Sequence, residues 1–333
     1  MVGIKDVARR AGVSIGTVSN VVNRPHIVSP ATRSRVLSVI EELGYVRDES
    51  ARQLRAGRSR IMALLVLDLA NPFFVDVARG AEQAAHDAGL SVITCNSGQR
   101  VDREESYLSL LAEQRVRGLL LSPVDTSGAA LETFRRSGIP YVFVDRKVPA
   151  DEASSVSVDD LAGGELAGRH LLETGHRHVA FVNGPRILTQ CRDREQGLRT
   201  ALEGSGAELS VIETSELDVV SGRDAGARLL GMSPRPTAVF CANDLLALGV
   251  LQAMVGAGVR VPDEMAIVGY DDIEFAGAAA VPLTSVRQPA RRLGQTAAEL
   301  LIAETADPEN RPPHRSVVFK PELVVRASTQ YRR

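Results

Sequence analysis

Side chains able to read nucleic acid are concentrated near the start of the chain. Between Ser14 and Asn23, the apolar Val18, Val21 and Val22 recur at helical spacing. Ile15, Gly16, Thr17, Ser19, Asn20 and Asn23 are left facing outward. Amides and hydroxyls on such a face can bond base edges and phosphates in a major groove. A second group sits farther on, at the carboxyl ends of predicted strands, where open α/β sheets bind ligands. It comprises Asn71, Phe73 and Phe74 in Asp68-Leu-Ala-Asn-Pro-Phe-Phe74, then Asp145 with Arg146, Asn243 and Asp271. Two adjacent aromatics stand out in a chain with eight Phe, five Tyr and no Trp. Each strand-end Asp or Asn could equally cap the next helix. Several converging from different strands argue for a site.

Other clusters carry no chemistry. No Ser/His/Asp or Cys/His grouping has motif support, so no catalytic machinery is expected. Gly163-Gly164 lies inside a helical pattern without the Lys-Ser/Thr of a phosphate loop. His176-Arg-His178 follows a glycine-capped helix and reads as a surface turn. Cys95, Cys191 and Cys241 have no metal-ligand spacing, which points to reduced thiols in a cytoplasm and to no bound metal or cofactor. No export signal is expected at the start, and no apolar run reaches membrane-spanning length.

The positioning elements follow from periodicity. Ile4, Val7, Ala8 and Ala11 mark a first helix, which Gly12 can close in a left-handed turn. Ser14 is placed to cap a second helix through the Thr17 amide. The pair reads as a helix-turn-helix, although an ordinary helical hairpin has the same pattern. A third helix is predicted over 32–43, with Val36, Leu37, Val39, Ile40 and Leu43 on one side and Gly44 at its end. Residues 50–60 are basic and too poor in apolar groups to bury a helix face alone. They read as a linker that orders on a partner.

After Arg60 the period changes. The run Ile61–Leu67 is the mark of a strand buried on both faces. Predicted helices at 75–88, 102–115 and 127–137 alternate with strands at 90–95, 117–121 and 140–144. A second round places helices at 159–174, 191–203, 221–231 and 243–257 among strands at 178–182, 208–213, 237–241 and 264–269. Short strands at 316–319 and 323–325 flank Pro321. This is βα repetition on parallel sheets. The strands are too many for one sheet, so two lobes with ligand between them are expected. The charge is split likewise. Residues 1–60 hold 11 basic and 5 acidic side chains, whereas the remainder holds 28 and 36. A basic head on an acidic body suits a DNA-binding unit joined to a sensor.

Residues Ile4 to Asn23, Leu43-Gly44-Tyr45 and Ala51-Arg-Gln-Leu54 resemble the lactose-repressor (LacI) family of bacterial transcription regulators, and matches recur along essentially the whole chain. The resemblance implies an α/β fold with a helix-turn-helix head, a hinge helix and a two-lobed periplasmic-binding-protein-like body of doubly wound parallel sheets. Its expected divisions are 1–47, 48–60 and 61–333. The lobes would be about 61–158 with 288–319 and about 159–287 with 320–333, with crossings near Asp159, Gln288 and Lys320. Ile15, Gly16 and Asn20 match positions that touch bases. Ser14, Thr17, Asn23, Ser29 and Thr32 match positions that bond phosphates, and Ser29 could also cap the third helix. Ala51, Arg52, Leu54 and Arg55 fall in the hinge helix, where Leu54 matches the leucine that wedges open the minor groove.

In the body, Phe74 matches a position that stacks on a ligand ring, and Phe73 is free to pack inward. Arg194 matches an arginine that grips sugar hydroxyls, while Asn243 and Asp271 match ligand positions. Gln190, one turn before Arg194, is a weaker candidate. Carboxylates, amides and a guanidinium suit vicinal hydroxyls. One departure is Leu217-Asp218, where several members carry an aromatic or bulky group facing the ligand. The implied function is a ligand-responsive repressor, not an enzyme, that binds palindromic double-stranded operator DNA as a homodimer and is released by a small carbohydrate. The alternative is a corepressor-dependent repressor responding to a purine or other polar metabolite. The leucine heptad that joins some members into tetramers is not seen, and no membrane contact is implied.

Overall fold

The structure, a computed structural model, describes residues 2–45, 59–125, 129–307 and 309–330. Two compact units are formed, residues 1–58 and 59–333.

Among its described residues the first unit holds three α-helices, α1 (Ile4–Ala11), α2 (Ile15–Asn23) and α3 (Pro30–Leu43), and a short 3-10 turn at Pro25–Ile27. Local chemistry sets their ends. Gly12 and Gly44 close α1 and α3 with φ of 63° and 60°, a conformation that costs glycine little. The Ser14 Oγ accepts the Thr17 N–H at 3.0 Å and caps α2. Ser29 caps α3 in the same way through the Thr32 N–H at 3.4 Å. The core is small and built of Val7, Ala8, Ala11, Val18, Val21, Val36 and Val39, with Val22, Ile40 and Leu43 half-buried. Leu37 is not part of it and is 47% exposed. Val36, Val39, Ile40 and Leu43 fall on one stripe at three- and four-residue spacing, and Leu37 lies about 100° around the helix from Val36.

The second unit alternates strands and helices. Its first part runs β1 (Ile61–Val66), α4 (Pro72–Asp87), β2 (Ser91–Asn96), α5 (Val101–Glu113), β3 (Leu119–Leu121), α6 (Ala129–Arg136), β4 (Tyr141–Val144) and β5 (Ser154–Val158). It continues with α7 (Asp160–Glu173), β6 (His178–Asn183), α8 (Thr189–Leu202), β7 (Glu208–Glu213), α9 (Val219–Leu230), β8 (Ala238–Cys241), α10 (Asp244–Gly256) and β9 (Ala266–Asp271). The last elements are α11 (Glu274–Ala278), β10 (Thr284–Arg287), α12 (Ala290–Ala306), β11 (Ser316–Phe319) and β12 (Glu322–Val324).

Two six-stranded sheets result, ordered β11-β5-β4-β3-β1-β2 and β12-β10-β9-β8-β6-β7. All pairings are parallel except β10 with β12. The chain therefore passes between sheets after β5, after β10 and after β11. β1 is buried on both faces, as its unbroken apolar run requires. Met62, Leu64 and Val66 face one core cluster, and Ala63 and Leu65 face another.

The apolar-run criterion passed over β5, β10, α11 and α12. β5 reads Ser-Ser-Val-Ser-Val, yet every residue is buried. Side-chain bonds accommodate two of its serines. Ser154 donates to Glu304 on α12, and the Ser155 Oγ meets the Ser316 Oγ at 3.1 Å. The His176–His178 turn lies at the surface in Arg177, which is exposed, and in the half-exposed His178, but not in its first residue. His176 is buried, and its Nδ1 lies 2.9 Å from the Thr237 Oγ1.

Helices pack through facing glycines. On α4 and α12, a Cβ at Gly80 would fall on the Arg291 carbonyl, and one at Gly294 on the Val77 carbonyl. Gly164 and Gly197 do the same for α7 and α8, as do Gly222 and Gly249 for α9 and α10. Because the obstruction is backbone, no rotamer change relieves it. Gly294→Ala is expected to lower stability by about 3 kcal/mol or more, at or beyond the upper end of usual overpacking costs, read by urea unfolding of the full chain.

Candidate nucleic-acid interface and effector cleft

In the head, Ile15 and Gly16 are exposed at the start of α2, and Asn20 is half-buried one turn on. Ile15 is 44% exposed and presents apolar surface to solvent. Four of the five phosphate candidates are organised by capping, and the fifth, Asn23, ends α2. The Ser14 Oγ and Thr17 Oγ1 are 2.9 Å apart, and the Ser29 Oγ donates to the Thr32 Oγ1 at 2.9 Å. The Asn23 Nδ2 donates to the Ser19 carbonyl at 2.9 Å. Caps hold hydroxyls at helix N-termini, where partial positive charge favours phosphate. The hinge residues Ala51, Arg52, Leu54 and Arg55 lie outside the described residues.

In the second unit, loops at the carboxyl ends of both sheets meet around a small cavity of about 30 Å³. Eight of the nine predicted residues line it: Asn71, Phe73, Phe74, Asp145, Gln190, Arg194, Asn243 and Asp271. Arg146 does not. It lines a neighbouring cavity, and its guanidinium donates to Thr189, because it follows Asp145 on a turn that sends successive side chains apart. Phe73 and Phe74 are both buried, with rings edge to face at 5.0 Å and 75°. Leu217 forms part of the wall.

Most of the polar groups find partners within the cleft, although the Asp145 Oδ1 and the Gln288 Oε1 have none among the described residues. The Asn71 Nδ2 donates to the Asp271 Oδ2 at 2.9 Å, while its Oδ1 caps α4 through the Phe73 N–H at 3.0 Å. The Gln190 Nε2 donates to the Asp145 carbonyl at 2.6 Å and to its Oδ2 at 2.9 Å. The Gln288 Nε2 donates to the Asp271 Oδ1 at 2.7 Å. Asn243 caps α10 through the Leu246 N–H at 2.9 Å and donates to the Leu217 carbonyl at 3.0 Å. Asp145 and Asp271 have φ of 58° and 102°. Such backbone is strained for residues with a Cβ, and these side-chain bonds hold it.

Arg194 is more structural than its motif suggested. Its Nε donates to the Asp160 Oδ1 at 2.8 Å and its Nη1 to the Ala242 carbonyl at 2.7 Å. Its guanidinium lies 3.7 Å from the centroid of the Tyr270 ring. Burial opposes the charge, but Asp160, with Asp271 and Asp145, raises the Arg194 proton affinity well above the usual range. Removing Arg194 leaves Asp160 buried and unpaired, a change that typically costs about 3–5 kcal/mol. Asp160, Tyr270 and Gln288 were missed from the sequence. Only the Asp159-Asp160 doublet at the start of the helix predicted over 159–174 hinted at the first.

Burial, then the Asp160 charge, pushes the Asp145 carboxyl up to about 8, against Arg194 and the Gln190 bond, which pull it down. Asp271 is raised for the same first reason. Burial pushes the Cys191 thiol up to about 11, which keeps it protonated in the wall. Among the described residues, no His/Cys/Asp/Glu group could hold a metal ion, and no helix is long and apolar enough to cross a membrane.

Comparison with known proteins agrees in both units. Residues 3–48 match the model of bacterial regulatory proteins of the lacI family, and residues 169–329 match the periplasmic binding protein-like domain. The HTH-type transcriptional repressor PurR of Photobacterium profundum is 35% identical over 333 residues, covering 99% of each chain. A transcriptional regulator CelR–cellobiose complex is 34% identical with a TM-score of 0.74, covering 98% of this chain and all of that one. The lac repressor dimer bound to operator and the anti-inducer ONPF is 28% identical with a TM-score of 0.82, covering 99% of each.

The geometry of each unit can be checked by one substitution. A Cβ at Gly16 meets nothing closer than the Ser14 Oγ at 3.6 Å. Gly16→Ala should therefore raise head stability by up to about 1 kcal/mol, read by thermal unfolding. A simultaneous loss of operator affinity would mean that the backbone there lies against a base. For Asp145, the raised folded value means that the folded state binds its proton more tightly than the unfolded state does. Its contribution is thus fully present below about 4 and is lost as pH rises towards about 8. Asp145→Asn should flatten that decline, so that its melting temperature gains on wild type from about pH 5 to about pH 8. With helix-turn-helix head, two-lobed body and full-length relatives in agreement, the chain belongs to the LacI family of bacterial regulatory proteins and is a transcriptional repressor.

Proposed function

We propose that the protein binds a palindromic operator as a homodimer and releases it when a small carbohydrate enters the cleft. The observation that carries the effector assignment is the convergence of two carboxyl groups, three amides and a guanidinium around one buried cavity beside Phe73 and Phe74. Paired donors and acceptors suit vicinal hydroxyls, and an aromatic face suits the C–H side of a sugar ring. The cellobiose carried by the CelR complex supports this class. In the head, Ile15, Gly16 and Asn20 are assigned to bases, and Ser14, Thr17, Asn23, Ser29 and Thr32 to phosphates. Residues 48–60 are assigned to a hinge helix in which Leu54 wedges the minor groove, with Ala51, Arg52 and Arg55 beside it.

The described cleft is closed. A cavity of about 30 Å³ compares with about 300 Å³ or more for usual ligand sites. Entry therefore requires the lobes, assigned as 61–158 with 288–319 and 159–287 with 320–333, to move apart. A ligand hydroxyl then replaces the Asn71–Asp271 and Gln190–Asp145 bonds. Because closure differs between the two states, binding shifts operator affinity by a coupling energy of typically ~1–3 kcal/mol.

A second reading is a purine corepressor. It is supported by full-length similarity to repressors named PurR. A planar base would find Phe73 and Phe74 on one side, but only Leu217 as a further platform.

Fluorescence anisotropy on operator DNA, titrated with mono- and disaccharides and with purines, separates the two. Release by a saccharide supports the first reading, and tightening by a purine supports the second. Asn71→Ser keeps a helix cap but removes the bond to Asp271, and Gln190→Ala removes the bond to Asp145. Each should leave operator affinity within about threefold and raise the half-effective ligand concentration about tenfold, which corresponds to about 1.4 kcal/mol. An unchanged effector response in both variants would remove the cleft assignment.

A further inference from the structure

The Gln190–Asp145 pair is also a partition. On its far side lies a cavity of about 500 Å³, larger than the central one and within the usual range of ligand sites. Its polar wall includes Arg146 and Lys147 after β4, Ser157 on β5, Asp160 at the start of α7, and Thr189 and Asp193 on α8. Asp145 and Gln190 line both cavities.

Two atoms of this wall are anomalous. The Ser157 Oγ and the Asp145 Oδ1 are buried with no hydrogen-bond partner among the described residues, and their residues are only 3% and 5% exposed. An unpaired buried polar atom is costly, and nearly all such atoms find partners. A hydroxyl and a carboxylate oxygen left unpaired beside an accessible cavity mark a surface built to be completed by a ligand.

The remaining wall restricts what that ligand is. It carries no aromatic residue, so a planar base finds no stacking face there. Its charges balance: Asp160 is paired with Arg194 and Asp145 keeps its proton up to about 8, which leaves Asp159 and Asp193 against Arg146 and Lys147, so a neutral ligand suits it best. Val148, Pro149, Leu161 and Val318 supply apolar surface. Alternating acceptors, donors and small apolar faces suit a ring bearing hydroxyls.

We propose that this cavity is a second subsite of the effector cleft, which takes a hydroxylated sugar ring linked to the ring held beside Phe73 and Phe74, so that the effector is a two-ring compound. The inference rests on the reading of the cleft as the effector site. The shared chemistry has two sources, a disaccharide and a nucleoside. Opening of the Gln190–Asp145 pair joins the cavities, and the outer ring donates to the Asp145 Oδ1 and pairs with the Ser157 Oγ.

Isothermal titration calorimetry on the full chain with glucose against cellobiose, and with guanine against guanosine, tests this. In one of the pairs the two-ring compound should bind at least about tenfold more tightly than its one-ring counterpart. Ser157→Val, which keeps the shape but removes the hydroxyl, should abolish that gain and leave one-ring binding unchanged. Asp193→Ala, at the half-exposed rim, should reduce the gain without threatening the core. If the two-ring compound has no advantage, or if both variants retain it in full, the subsite is overturned while the central site stands. If neither compound of either pair binds, the reading of the cleft is overturned and the subsite falls with it.

Discussion

The buried Arg194 guanidinium is the interaction around which the second unit's binding wall is assembled. It joins four sequence-distant pieces: its own helix α8, Asp160 at the start of α7, the Ala242 carbonyl after β8, and the face of Tyr270 on β9. A charge so deeply buried persists only with a counter-charge and directed acceptors, and each partner is placed by a different crossover of the sheet. The stacked Tyr270 in turn lies against Gly163, where a side chain would collide with it. The glycine doublet at 163–164 is thereby explained. One member clears Tyr270, and the other lets α7 reach the backbone of α8.

The cleft built on this support fills many of its own hydrogen bonds. Asn71 with Asp271 and Gln190 with Asp145 span the two sheets, so the closed form is stabilised by the groups that would hold a ligand. This lowers the penalty of burying them when empty, and makes any ligand compete with an internal partner. It also ties occupancy to lobe geometry, because the same atom cannot bond across the cleft and to a ligand hydroxyl in the same direction. The positive φ at Asp145 and Asp271 places both carboxylates at strand ends where the chain turns most sharply. Strain there is tolerated because both side chains are anchored.

The head is stabilised differently. Its core is made of valines and alanines, and its definition comes from four local devices: Gly12, Ser14, Ser29 and Gly44. Helix ends that are capped locally present their hydroxyls in a fixed array. A small unit can then offer a defined phosphate-binding surface with little buried area. The polar face of α2 is left to distinguish sequence, which separates the groups that position the head from those that read bases.

Those head devices were legible in the sequence because caps and left-handed turns act over three or four residues. The same holds for the alternation of strands and helices and for the two-sided burial of β1, since periodicity is a local property. The gathering of strand-end polar residues was legible too, through the rule that open parallel sheets bind at their carboxyl edges. What only the tertiary structure decided depends on pairs far apart in the chain. Leu37 is exposed because the other two helices occupy a single stripe of α3. The polar β5 is buried because β4 and β11 flank it and Glu304 accepts the hydrogen bond of one of its serines. Arg194 serves the fold because Asp160 and Tyr270 arrive beside it, and Arg146 is turned into the neighbouring cavity by the strained residue before it. No periodic pattern encodes such meetings. They are set by sheet order and by the depth at which a charge must find its partner.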